Sequence, residues 1–173
     1  MMDVVEESRE VFYARNQLGL VGDAELLFLK ERAAGNARRR SRLCLHESTN
    51  ERLHEMIIVH HQKTYVRPHR HLAKSEGLAV IEGQATLITY EDTGDLSAVV
   101  ELAPATARAA FFYRMPEWIW HSLLIRSEWF VFVETTIGPF ERTATEFASW
   151  APDGEDPAAA AEYMRRLALR IAI

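Results

Sequence analysis

His69 and His71 stand two residues apart in a segment that reads as strand, so both imidazoles point to one face. Two rings side by side on a rigid strand form half of a site for a divalent ion. The pair alone is a weak signal, because seven histidines in 173 residues produce one by chance in roughly one sequence in four. Glu76 follows His71 by five positions and Gly83 follows Glu76 by seven. Requiring both at those offsets lowers the chance figure to roughly one or two per thousand. Downstream, Pro116-Glu117-Trp118-Ile119-Trp120-His121 places a further imidazole just inside a strand. Three neutral imidazoles and one carboxylate suit one divalent ion (Zn, Fe, Mn or Ni) and leave coordination positions for water or substrate. The chemistry expected there is Lewis-acid polarisation of a carbonyl or hydroxyl oxygen, with a neighbouring carboxylate or tyrosine moving the proton.

Other residues could serve the same site. Strand alternation from Tyr65 to His71 places Tyr65 and Arg67 on the face of the two histidines, offering a hydroxyl and a charged fork. Arg67 could equally be a strand-edge residue reaching solvent. Glu134 ends the apolar run Phe130-Val131-Phe132-Val133, where a carboxylate needs a partner. It either pairs with an arginine or carries a proton beside the metal. Tyr65 and Glu134 are therefore the candidate catalytic residues.

Arg42, His46 and Arg67 are the candidate substrate contacts. Arg42 and His46 share a face with Cys44, whose commonest fate is simple packing. Arg42 closes the basic run Arg38-Arg39-Arg40-Ser41-Arg42, and there are 17 Arg against 3 Lys. A planar guanidinium matches phosphate oxygens in a way an ammonium does not. The run reads as a solvated turn at Arg38 and Arg39, with Arg42 held by the following strand against an anionic ligand or a partner chain. His54, His60 and His61 carry no motif, and adjacent His60 and His61 point to opposite faces. The aromatic residues Phe111, Phe112, Tyr113, Trp118, Trp120 and Trp129 read as core and rim.

These residues need a scaffold. A run of helix formers predicts a helix over 23–34, capped by Asp23 and stopped by Gly35, and Val11, Phe12 and Tyr13 suggest a short edge strand before it. From 42 to 138 the sequence is strand-like: 56–59, 65–71, 78–90 broken at Glu82-Gly83, 99–102, 111–115, 119–125 and 129–137. Asp92-Thr93-Gly94-Asp95 marks a hairpin turn. Short strands at regular spacing predict an all-β barrel or sandwich. Asp156-Pro157 begins a second helix with an apolar stripe of Tyr163, Met164, Leu167, Ala168 and Ile171. The expected organisation is a single domain over 1–173: an N-terminal extension (1–41), a barrel (42–140) and a C-terminal extension with a helix (141–173).

The histidine spacing resembles a known family. His69-x-His71-x(4)-Glu76-x(6)-Gly83 is similar to the first cupin motif, and Pro116-x-Trp118-x(2)-His121 to the second. Trp118 stands where the family usually has Gly, and Ile125 where it usually has Asn. Arg40-Ser41-Arg42-Leu43-Cys44-Leu45-His46, Tyr65-x-x-Pro68-His69, Lys74-Ser75-Glu76, Gly138-Pro139-Phe140 and Trp150-Ala151-Pro152 further resemble the WbuC-type cupin-fold metalloproteins, over roughly 38–152. The resemblance implies a small jelly-roll (double-stranded β-helix) barrel with a divalent metal in its mouth. It also implies a setting in bacterial O-antigen or surface-polysaccharide metabolism, hence a sugar or nucleotide-sugar ligand.

Composition narrows the classes. A net charge of −5 excludes a general nucleic-acid binder. No apolar run reaches the ~18 residues of a membrane span. The acidic start has no apolar leader, and a single cysteine suits a reducing compartment, so a cytoplasmic protein, expected as a homodimer, is the default. Three functions are expected from one ligand set: a metal-dependent enzyme of isomerase or epimerase type, an Fe(II) dioxygenase, or a non-catalytic small-ligand sensor.

Overall fold

The computed structural model describes residues 3–171. The strands are β1 (Val4–Glu6), β2 (Val11–Ala14), β3 (Arg40–Cys44), β4 (Leu53–His61), β5 (His69–His71), β6 (Glu76–Glu82), β7 (Ala85–Tyr90), β8 (Leu96–Leu102), β9 (Phe112–Met115), β10 (Trp120–Ile125), β11 (Trp129–Ile137) and β12 (Thr145–Phe147). The helices are α1 (Asp23–Ala34) and α2 (Pro157–Ile171). A seven-stranded sheet runs β1-β2-β3-β4-β11-β6-β9, and a five-stranded sheet runs β12-β5-β10-β7-β8. The two face each other as a double-stranded β-helix, in keeping with the all-β barrel or sandwich that strand spacing predicts and with the jelly roll that the motif resemblance implies.

Side-chain alternation divides the interior into three. Between the sheets lie Met56, Ile58, Leu78, Val80, Leu87, Leu123, Phe130 and Phe132. Their strand neighbours on the outer face, Leu43, Ile57, Val59 and Val131, pack with Phe12 against Leu29 and Ala33 of α1. The outer face of the smaller sheet, at Ile88, Tyr90, Trp120 and Leu124, is covered by Leu167 and the predicted stripe of α2. Both helices therefore sit outside the barrel and leave its interior to the strands. Among the described residues no helix is long and apolar enough to cross a membrane.

Several local expectations are corrected. The N-cap of α1 is Gly22, whose N–H donates to Glu25 Oε2 at 3.0 Å, so Asp23 is already helical. β2 is no edge strand: it lies between β1 and parallel β3, because β1 adds outside it. The segment 65–71 is strand only from His69, since Pro68 has no N–H to give to a ladder. β12, which carries no strand signal of its own, pairs with β5. Both flanking extensions thus contribute strands to the sheets.

Candidate metal centre

β5 and β10 are antiparallel neighbours with His69 directly opposite His121. His71, two residues on, projects to the same side, and β6 brings Glu76 in from the facing sheet. The ligand atoms of His69, His71 and His121 all lie within 4.8 Å of one another. Glu76 closes the group, with Oε2 3.0 Å from His71 Nε2 and Oε1 3.3 Å from His121 Nε2.

The far side of each ring is pinned. His69 Nδ1 donates to the Arg67 carbonyl and His121 Nδ1 to the Ile119 carbonyl, each at 2.8 Å. His71 Nδ1 is 3.2 Å from Thr145 Oγ1, which gives β12 a part in the site. A carbonyl oxygen only accepts, so the proton of His69 and His121 sits on Nδ1 and Nε2 presents its lone pair inward. His121 Nε2 is buried and makes no hydrogen bond of good geometry. An orphaned nitrogen among two imidazoles and a carboxylate is what a divalent ion would satisfy, so these residues fit a metal.

Charge supports this arrangement. Burial, then His121, hold the His69 imidazole down at about 3, so it is neutral. Burial works against the Glu76 carboxylate, but the adjacent His121 and His71 outweigh it and keep its pKa well below the ordinary range. The opposite balance holds at His121, where Glu76 overcomes burial and raises the pKa. Burial and the charge of Glu76 push Glu134 up to about 7.

The other expected residues divide. Glu134 faces between the sheets in a row of paired residues, Cys44, Met56, Glu134, Leu78 and Tyr113. Among the described residues it makes no hydrogen bond or ion pair, so the arginine pairing expected as one alternative is not formed. Arg42 faces the same interior one row further along. Tyr65 and Arg67 do not share the strand face of the histidines, because they precede β5. Tyr65 donates to the Pro152 carbonyl at 2.8 Å and packs edge-on to Tyr163 of α2; burial pushes its hydroxyl up to about 12. Arg67 donates to the Ala148 carbonyl at 2.9 Å and lies over Phe147, while its own carbonyl orients His69. His46 stacks flat on His54, with ring centroids 4.1 Å apart. Within the basic run, Arg38 and Arg40 reach Glu10 and Arg39 donates to the Ala34 carbonyl.

Tyr113, read from sequence only as core or rim, donates its hydroxyl to Glu76 Oε1 at 3.2 Å. The alternation of β9 opposite β6 was the one signal available for it. Trp118 takes the left-handed conformation (φ 70) that Gly would adopt without strain, and its N–H donates to the His71 carbonyl at 2.8 Å. The turn therefore keeps its shape, with the indole on the rim. Ile125 is core.

The fold and site together define a cupin-type double-stranded β-helix with a histidine trio able to hold an ion. Residues 21–102 match a family described as a domain of unknown function, DUF6016. Among the curated proteins none matches. Of solved structures, the capsular polysaccharide assembling protein CapF from Staphylococcus aureus aligns at 15% identity over 65% of this chain and 30% of that one, with a TM-score of 0.52. A Klebsiella pneumoniae protein with a double-stranded β-helix domain aligns at 16% identity over 64% and 84%, with a TM-score of 0.48. Oxalate decarboxylase OxdC from Bacillus subtilis aligns at 17% identity over 56% and 24%, with a TM-score of 0.45. The chain thus spans less than a third of the length of CapF and about a quarter of OxdC.

Proposed function

We propose that the protein is a divalent-metal-dependent enzyme that moves a proton on a small polar metabolite, a sugar or nucleotide-sugar intermediate of surface-polysaccharide metabolism. The observation that carries this reading is the convergence of His69, His71 and His121, each ring held from behind, beside a second carboxylate, that of Glu134. A bound divalent ion would supply Lewis-acid polarisation of a carbonyl or hydroxyl oxygen. The chain's own groups supply the rest. Glu76 fixes the donor atoms of His71 and His121, and Tyr113 fixes Glu76. Glu134, held near neutrality, exchanges a proton at its carboxyl oxygen in either direction. The carbohydrate class rests on the motif resemblance to WbuC-type proteins.

The test is metal analysis of protein purified without added metal, followed by incubation with sugars and nucleotide sugars in D₂O. Deuterium at a carbon-bound position, lost in Glu134→Gln at unchanged metal content, is expected. Oxygen uptake without deuterium incorporation would replace proton transfer by dioxygenase chemistry. Ligand-induced stabilisation with no turnover would make the protein a binder.

A further inference from the structure

Arg42 sits in an unusual position for a cation. Its strand neighbours Ser41 and Leu43 are buried toward α1, where Ser41 Oγ donates to the Leu29 carbonyl. Alternation therefore turns Arg42 the other way, with Cys44, into the space between the sheets. Among the described residues its guanidinium forms no ion pair and no hydrogen bond, and Nε is shut off from solvent without a partner. The other arginines of the basic run, Arg38, Arg39 and Arg40, are all engaged.

The surroundings show that this is a cleft. Arg42, Glu134, Tyr13 and Tyr113 all keep some exposure, although Met56, Ile58 and Phe132 on the same inner face are buried. Solvent therefore enters between the sheets along the polar residues. Within the cleft Arg42 acts electrostatically on Tyr13, Cys44, His46 and Glu134, and Glu134 in turn on the group around Glu76 and His121. A buried guanidinium nitrogen without an acceptor is costly, and an incoming anion would remove that cost.

We propose that Arg42 is the anion-binding residue of the cleft, and that the molecule engaged at the histidine centre carries a carboxylate or phosphate group seated on its guanidinium. The inference rests on reading His69, His71 and His121 as a metal centre in the same cleft. Glu134 lies between the two ends, where a carboxylate faces the bound molecule and repels its negative charge. A neutral sugar would leave Arg42 unsatisfied. A sugar acid, a sugar phosphate or a nucleotide sugar would not.

The test is calorimetric titration of the metal-loaded protein with inorganic phosphate, malonate and uncharged glucose. Wild type binds at least one anion at millimolar concentration or better, and whether phosphate or malonate is preferred identifies the group. Arg42→Gln weakens that binding about tenfold or more at unchanged metal content. Arg42→Lys, which keeps the charge without the fork, falls between, and stands in should the Gln variant fail to fold. Glu134→Gln tightens it. Anion binding equal in wild type and both Arg42 variants, or no binding of either anion by wild type, overturns the proposal. Retention of metal by His69→Ala would instead overturn the metal-centre reading, while a loss of anion binding in Arg42→Gln would still stand.

Discussion

At the residue scale the centre depends on atoms behind the imidazoles as much as on the imidazoles. Thr145 supplies only a hydroxyl, 3.2 Å from His71 Nδ1. Thr145→Val keeps the shape and removes the acceptor, so metal affinity should fall about 10–100-fold, read by competition with a chelating dye. His69→Ala and His121→Ala should abolish stoichiometric metal while leaving the far-UV circular dichroism unchanged, because the core between the sheets is built by other side chains. His60 gives a pH prediction independent of the metal. It packs edge-on to Phe132, and burial lowers its pKa from 6.5 to about 3. The unfolded chain then binds the proton more readily than the folded one, so stability falls as pH drops below about 6.5 and goes on falling toward 3. Between pH 7 and 5 this group costs about 2 kcal/mol, at 1.36 kcal/mol per unit. His60→Leu should lose that much less over the same interval in urea denaturation; an unchanged pH slope would mean that the ring is protonated when folded.

At the scale of elements, two positions hold strands and helices in register. Gly83 joins β6 to β7 with φ 81, and a Cβ there would stand 2.0 Å from the Trp129 carbonyl oxygen and 2.4 Å from Ser127 Oγ. Backbone cannot yield as a flexible side chain can, so Gly83→Ala should destabilise by about 3 kcal/mol or more. An effect below about 1 kcal/mol in chemical denaturation would show that the turn has room to shift. The cap of α2 is gentler. Asp156 Oδ1 accepts from the N–H groups of Ala158 and Ala159 at 2.9 and 3.1 Å, and Asp156→Ala should cost about 1 kcal/mol. The metal content of that variant should match wild type, because α2 packs on the outer face of the smaller sheet.

For the whole molecule, an ion bound by the folded state alone stabilises it by mass action. At about a hundredfold excess over Kd the gain is about 2.7 kcal/mol. For a domain of this size that raises Tm by about 5–11 °C, at 2–4 °C per kcal/mol. Chelation should reverse the shift in wild type and have no effect on His69→Ala. Identical midpoints with and without chelator in wild type would remove the metal from the folded-state description altogether.

Periodicity and spacing made the barrel legible. The alternation that defines β11 over Trp129–Ile137, the break at Gly83, the helix beginning at Pro157 and the His-x-His pair are all local, set by turn chemistry and by the period of a strand or a helix. What the sequence could not show is which polar atoms from distant segments meet. Alternation places Tyr65 on the histidine face, but β5 begins only after Pro68, and the Tyr65 hydroxyl turns to the Pro152 carbonyl while its ring packs on Tyr163 of α2. Tyr113 and Thr145 reach the centre because β9 pairs with β6 and β12 with β5, contacts spanning 37 and 74 residues of chain that no local pattern encodes. Strand pairing across such distances is decided by burial of the whole inner face at once. The single step that places Arg42 toward the cleft and Ser41 toward α1 was readable as alternation, yet which side was the interior was decided only when the second sheet and α1 took opposite faces.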